Sequence, residues 1–206
     1  FLVADSLGIQ DYLKEKYNKE STYIAYGAHP FANPDETIID NYKLEKGNYN
    51  MIMARFEPEN NIEMVLDGVV LSHDSRKIIV VGNHNTKYGS YLKNKFKENK
   101  NIVFLGGIFN LEHLNNLRYF SNLYFHGHSV GGTNPSLLEA MASKAFILAH
   151  NNSFNKAILK ENALYFANAD EVKSLILNRR KQYYSKQIEA NFQIIVNEFN
   201  WNKING

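Results

Sequence analysis

The chain has 206 residues, of which 44% are hydrophobic and 21% charged, a balance that supports one good core and excludes a disordered chain. A net charge of +2 from scattered lysines makes no basic stripe, so nucleic acid is not an expected partner, and the absence of cysteine removes disulfides and thiolate metal sites. No apolar run approaches the ~20 residues of a membrane span and no charged-then-apolar leader opens the chain, which therefore reads as cytoplasmic.

The first residues, FLVADSLGIQ, begin inside an apolar run, as though cut from something longer. Ser6 is placed to cap a helix carrying Ile9, Leu13 and Tyr17 at helical spacing, and residues 22–26 then read as a strand ended by Gly27, giving a β-α-β fragment. Residues 29–48 hold two prolines, several Asn and Asp and no periodic pattern, and are expected to be a connection at a domain boundary. Beyond it the alternation is regular. Strands are predicted at 50–54, 77–81, 102–105, 123–125, 146–149 and 163–166, and helices at 60–71, 88–96, 111–119, 155–159, 170–180 and 183–199, with a further helix starting at Pro135. Such alternation implies a parallel sheet covered by helices on both faces, with ligands beyond the carboxyl ends of its strands. Those ends here carry Arg55, Gly82-Asn83-His84, Gly106-Gly107 and the His126 to Thr133 turn.

The stretch 121–149, SNLYFHGHSVGGTNPSLLEAMASKAFILA, organises the rest. Asn134-Pro135 marks a helix start, because a residue before proline avoids the α region while proline at the first helical position forfeits no hydrogen bond. Asn134 is then the N-cap, and the free amides and positive dipole end of the helix form an anion site that Gly131 and Gly132 leave open to a phosphate. The plainer alternative for these glycines is a tight turn needing positive φ. Glu139, among Leu137, Leu138, Ala140, Met141 and Ala142, is either the helix's solvent-facing residue or a buried carboxylate with a dedicated partner, and periodicity does not choose. Arg55 can clamp a phosphate, or pair on the surface with Glu57 or Glu59. Asn60 with Glu63 has the form of a capping box. His126 and His128 lack a third ligand nearby in sequence, so hydrogen bonding in a cleft or packing is expected of them in place of a zinc site.

VGGTNPSLLEAMASK, together with ARFEPENNIEMVLDG, VVGN, VFLGGI and the ADSLGIQDYLKEKY…YIAYGA opening, resembles the C-terminal donor-binding half of family 4 glycosyltransferases of the GT-B fold. Within that family the likeness is to bacterial capsular β1,4-rhamnosyltransferases, which carry RFxPENN and HGHxVGGTNPSLLEA. The resemblance implies a Rossmann-like donor domain over 49–182, a remnant of an N-terminal acceptor domain over 1–28, a linker over 29–48 and a C-terminal crossing helix over 183–206. It implies that Arg55 contacts the nucleotide diphosphate, Glu139 the ribose hydroxyls, and the turn of Gly131, Gly132, Thr133 and Asn134 the diphosphate and donor sugar, with His128 also lining the donor site. Gly107 and Ile108 would lie near the base. Asn60 stands where the broad family has a lysine of the donor site, and Gly131 where it has a first glutamate, departures that the rhamnosyltransferase-like group shares.

The activity so implied is retaining transfer of a sugar, rhamnose from dTDP-rhamnose foremost, to a lipid-linked or polysaccharide acceptor in surface polysaccharide synthesis. No tightly bound cofactor or metal is implied, the acceptor half is missing, the fragment alone would be inactive, and the full protein would work at the inner face of the membrane. A nucleotide-sugar epimerase of GT-B fold and a non-catalytic nucleotide-sugar-binding module are the alternatives. If Glu139 binds ribose, Glu139→Gln is expected to weaken nucleotide binding and leave folding intact; if it is merely solvated, neither changes.

Overall fold

Six short apolar runs, each closed by a glycine, a polar residue or a turn, form the strands of one all-parallel sheet. The structure, a computed structural model, describes residues 1–204. The strands are β3 (Tyr49–Met53), β4 (Lys77–Val81), β5 (Ile102–Gly106), β6 (Leu123–His126), β7 (Ile147–His150) and β8 (Leu164–Phe166), in the spatial order β5-β4-β3-β6-β7-β8. Being buried on both faces, the central strands read as continuous apolar runs. Alternate side chains enter two cores. Met51, Ile79, Tyr124 and Ile147 pack on one face with α5 (Leu111–Phe120) and α6 (Pro135–Ala142). Ile52, Ile78, Phe125 and Leu148 pack on the other with α3 (Ile62–Ser72), α4 (Lys87–Lys95) and α8 (Ala169–Asn178). Each such fully buried side chain contributes ~1.5–3 kcal/mol by leaving water.

From β3 the chain adds β4 and β5 on one side, then crosses by α5 to place β6 on the other side of β3. The reversal lies between β3 and β6, and a crevice opens at their carboxyl ends, where an open α/β sheet holds ligands. Gly82 shapes its floor. It has φ of +150°, and a Cβ there would stand 2.1 Å from the Ala54 carbonyl oxygen, so only glycine lets the end of β4 lie this close to the end of β3.

Several elements differ from the sequence reading. The second strand of the N-terminal fragment is β2 (Thr22–Tyr23) alone, because its parallel partner β1 (Val3–Ala4) is only two residues long. Between them α1 (Leu7–Tyr17) starts at Ser6 as expected, with Ser6 Oγ accepting from the Ile9 amide, and buries none of its residues. The stretch 29–48 contains α2 (Thr37–Asp40), too short for a periodic signal, which buries Ile38 and Ile39. The end of the chain is two helices, α9 (Ser185–Asn197) and α10 (Trp201–Ile204), preceded by a 3-10 turn at Lys181–Tyr183; residues 205 and 206 of the expected crossing helix lie outside the described residues. Between β7 and β8, α7 (Ser153–Leu159) starts two residues earlier than expected, capped by Asn152.

Candidate functional site

The crevice beyond β3, β4 and β5 has a volume of ≈ 680 Å³, and its walls include Arg55, Gly82, Gly107, Ile108, His128 and Asn134. Arg55 leaves β3 exposed, and among the described residues no carboxylate lies within ion-pair distance of it, so the surface pair with Glu57 or Glu59 does not form. Its backbone is fixed: the Glu57 amide and Asn60 Nδ2 both donate to its carbonyl oxygen at 2.8 Å. Asn60 is thereby buried beneath the loop and does not cap α3. Pro58–Asn60 form a 3-10 turn, Asn61 takes the cap position at φ 50° with no side-chain cap bond, and Asn61 Nδ2 donates to the Gly127 carbonyl at 2.8 Å. Glu63, the other half of the expected capping box, instead accepts from Tyr91 Oη at 2.6 Å and Lys95 Nζ at 2.7 Å.

Opposite Arg55, α6 begins where Asn134-Pro135 said it would. Asn134 Oδ1 accepts from the Ser136 amide at 2.9 Å, and the Asn134 carbonyl accepts from the amides of Leu137 and Leu138. The first turn of the helix is therefore satisfied internally. The amides of Gly131, Gly132, Thr133 and Asn134, like that of Val130 before them, donate to nothing among the described residues and lie in the turn itself. That turn does not face the crevice as one surface. Gly131, at φ +113°, points into open space, whereas a Cβ on Gly132 would lie 2.4 Å from Asp5 Oδ1. Gly132 and Thr133 line a second cavity of ≈ 480 Å³ shared with Ser6, Tyr23, Phe154 and Glu198, and Thr133 Oγ1 is buried without a partner among the described residues. Of the predicted site residues, Arg55, Gly107, Ile108, His128 and Asn134 come together at the crevice; Asn60, Gly131, Gly132, Thr133 and Glu139 do not line it.

His126 and His128 leave β6 as a stack, ring centroids 4.3 Å apart and planes at 15°. Burial holds the His126 imidazole well below its ordinary pKa, the neighbouring His128 adding to the effect. Burial, then the positive charge of Arg55, lowers His128 to about 4. Both rings are neutral at pH 7, so they offer hydrogen bonds and no cationic charge. His128 Nδ1 and both nitrogens of His126 are buried and unpartnered among the described residues. Among those residues no three His, Asp or Glu side chains gather as metal ligands.

Glu139 has the dedicated partner that one of its two readings required. Its Oε2 accepts from Arg118 Nη2 at 2.6 Å; Arg118 has no exposed surface, while the carboxylate side chain is 34% exposed. Arg118 Nη1 also donates to Asn115 Oδ1 at 3.2 Å, and its Nη2 touches Met53 Sδ at 3.1 Å. Sequence reasoning passed over Arg118, although it stands four residues after the buried Leu114 and so on the core-facing side of α5. A cation on that stripe was the available signal.

A family model described as "Glycosyl transferases group 1" matches residues 34–190. No curated protein sequence matches the chain. Among solved structures, a glycosyltransferase from Rickettsia africae is 16% identical with a TM-score of 0.80, over 98% of this chain and 60% of that one. HepE from Anabaena, solved in complex with UDP and glucose, is 14% identical with a TM-score of 0.83 over the same shares, 98% and 60%. The C-terminal domain of a glycosyl transferase group 1 family protein (LpcC) from Francisella tularensis is 17% identical with a TM-score of 0.65, over 84% of this chain and 96% of that domain. At these identities the likeness is one of fold: the six-stranded sheet and its helices have the α/β, Rossmann-like architecture of the C-terminal domain of a GT-B protein. The chain spans about 60% of the length of the larger structures.

Proposed function

Because this chain belongs to the group 1 glycosyl transferases, we propose that its crevice binds the nucleotide diphosphate of a sugar donor and that the protein transfers the sugar to an acceptor held by a second domain. The observation that carries the reading is Arg55: an arginine with no ion-pair partner among the described residues, backbone-anchored at the switch point of the sheet, across a ≈ 680 Å³ crevice from the start of α6. A free guanidinium there matches a diphosphate in geometry and charge. The Asn134 amide, unpaired among the described residues and at the crevice, offers a further donor to the anion, so charge compensation comes from the chain without a tightly held metal. Gly107 and Ile108, which line the crevice, take the base, and the Glu139 carboxylate, one helical turn beyond the lining Ser136, takes the ribose hydroxyls. That HepE is solved with UDP and with UDP-glucose supports a nucleotide-sugar donor.

The division of labour follows the same reading. Residues 49–182 form the donor domain, 1–28 belong to the acceptor domain, 29–48 link the two, and 183–206 run back towards the acceptor domain. The donor sugar is rhamnose and its carrier dTDP, on the motif resemblance RFEPENN and HGHSVGGTNPSLLEA; the reaction retains anomeric configuration and serves surface polysaccharide synthesis at the inner face of the membrane, with a glycan or lipid-linked acceptor. Calorimetric titration with dTDP, UDP and GDP tests the donor site: at least one is expected to bind, dTDP best, and no binding of any at millimolar concentration overturns the reading. Transfer by the fragment joined to an acceptor domain, and not by the fragment alone, tests the division of labour.

A further inference from the structure

We infer that Arg118 is a positioning residue for donor binding: it fixes the Glu139 carboxylate on α6 so that its second oxygen is presented to the nucleoside hydroxyls. This rests on the donor-site reading above. Arg118 is a cation with no exposed surface, held from three elements: Glu139 Oε2 on α6 at 2.6 Å, Met53 Sδ on β3 at 3.1 Å, and Asn115 Oδ1 on α5 itself at 3.2 Å. Asn115 Oδ1 is in turn fixed by Ser143 Oγ at 3.0 Å. A guanidinium so enclosed does not change rotamer without leaving its charge uncompensated, so it acts as a fixed anchor.

The carboxylate it holds has two unlike oxygens. Oε2 is bound to Arg118, and Oε1 makes no hydrogen bond among the described residues, on a side chain that is 34% exposed. Crevice and pair are one step apart. Met53, which touches Arg118, and Ser136, one helical turn before Glu139 on α6, both line the crevice. A glutamate on an exposed helix face samples several rotamers, and binding a hydroxyl must then pay for their loss; one pinned through Oε2 has already lost them. Oε1 of the carboxylate so pinned is an acceptor set for a hydroxyl donor, such as the ribose of a nucleoside diphosphate.

The test compares UDP with 2′,3′-dideoxy-UDP, and dTDP with 3′-deoxy-dTDP, on wild type, Arg118→Lys, Arg118→Met, Glu139→Gln and the double variant Arg118→Met/Glu139→Gln, with circular dichroism to verify folding. Wild type is expected to prefer the hydroxylated form by about ten- to a hundredfold, the worth of a charge-assisted hydrogen bond. Both Arg118 variants are expected to reduce that preference towards unity while affinity for the deoxy form stays within about twofold, and Arg118→Met is expected to remove no further preference in the Glu139→Gln background. Arg118→Lys keeps a cation in the core but loses the planar fork, and remains readable if Arg118→Met does not fold. A merely structural Arg118 would weaken both forms equally and leave the preference intact, which overturns the inference. Binding of nucleotide with no hydroxyl preference in wild type also overturns it while leaving the donor site standing, and no nucleotide binding at all overturns the donor reading itself.

Discussion

Replacing Glu139 by glutamine removes the charge opposite a guanidinium that has no exposed surface. Taking one partner from a fully buried ion pair costs ~3–5 kcal/mol, because the other charge is left in a low-dielectric site. Here the carboxylate side is 34% exposed and Arg118 keeps Asn115 Oδ1, so water and a neutral acceptor recover part of that loss. The expected destabilisation is ~1–3 kcal/mol, which for a chain of this size lowers Tm by roughly 2–12 °C. The sequence alone led to the opposite expectation, that folding stays intact, since it gave Glu139 no partner. Affinity for a hydroxylated nucleoside diphosphate falls as well, by about ten- to a hundredfold. Urea denaturation of both forms, and nucleotide titration under conditions where both remain folded, read the two effects separately. A Glu139→Gln protein with stability within ~0.5 kcal/mol of wild type refutes the buried-anchor geometry.

Arg55→Ala is expected to leave urea stability within ~0.5 kcal/mol, since Arg55 is exposed and unpaired among the described residues, and to weaken nucleotide diphosphate binding by about ten- to a hundredfold on titration. Gly82→Ala puts a Cβ 2.1 Å from the Ala54 carbonyl at φ +150°, and is expected to cost at least ~1–3 kcal/mol in chemical denaturation while disturbing the crevice floor. The His128 imidazole, ordinarily at 6.5 and lowered to about 4 in the fold, takes up protons more readily in the unfolded chain between those values, so acid favours unfolding. Its contribution is present above pH 6.5 and lost as pH falls towards 4; denaturation midpoints at pH 7, 6, 5 and 4 should show the decline, and His128→Gln should lessen it, the buried His126 keeping its own share. Asn134→Ala removes the Oδ1 cap on the Ser136 amide and is expected to cost ~1 kcal/mol by thermal melting.

What was legible in the sequence was whatever a local rule decides. The β4 run KIIVV, buried from Ile78 onward and ended by Gly82, declared both its strand and its turn, and the predicted bounds 77–81 match the strand observed. Asn134-Pro135 fixed the start of α6 to the residue. The failures have a common physical origin, which is competition for the same polar group by residues outside the helix being read. Asn60 had the spacing of a cap, but the side-chain Nδ2 groups of Asn60 and Asn61 donate to the Arg55 and Gly127 carbonyls, and the helix start moved to suit them. Glu63 was drawn away by Tyr91 and Lys95 on α4, which no reading of its own helix could supply.

The same competition decides which amides are left free at the start of α6. A helix start was expected to supply free amides, yet Asn134 satisfies the first turn of α6 with its own side chain and carbonyl, so the helix gives its dipole and few donors. Free amides include those of Gly131, Gly132, Thr133 and Asn134, and Gly132 and Thr133 line the second cavity, where Ser6 of the N-terminal fragment approaches. A diphosphate bound as proposed between Arg55 and Asn134 therefore meets only the end of the turn, since Gly132 stands against Asp5 and, with Thr133, lines the second cavity and not the crevice.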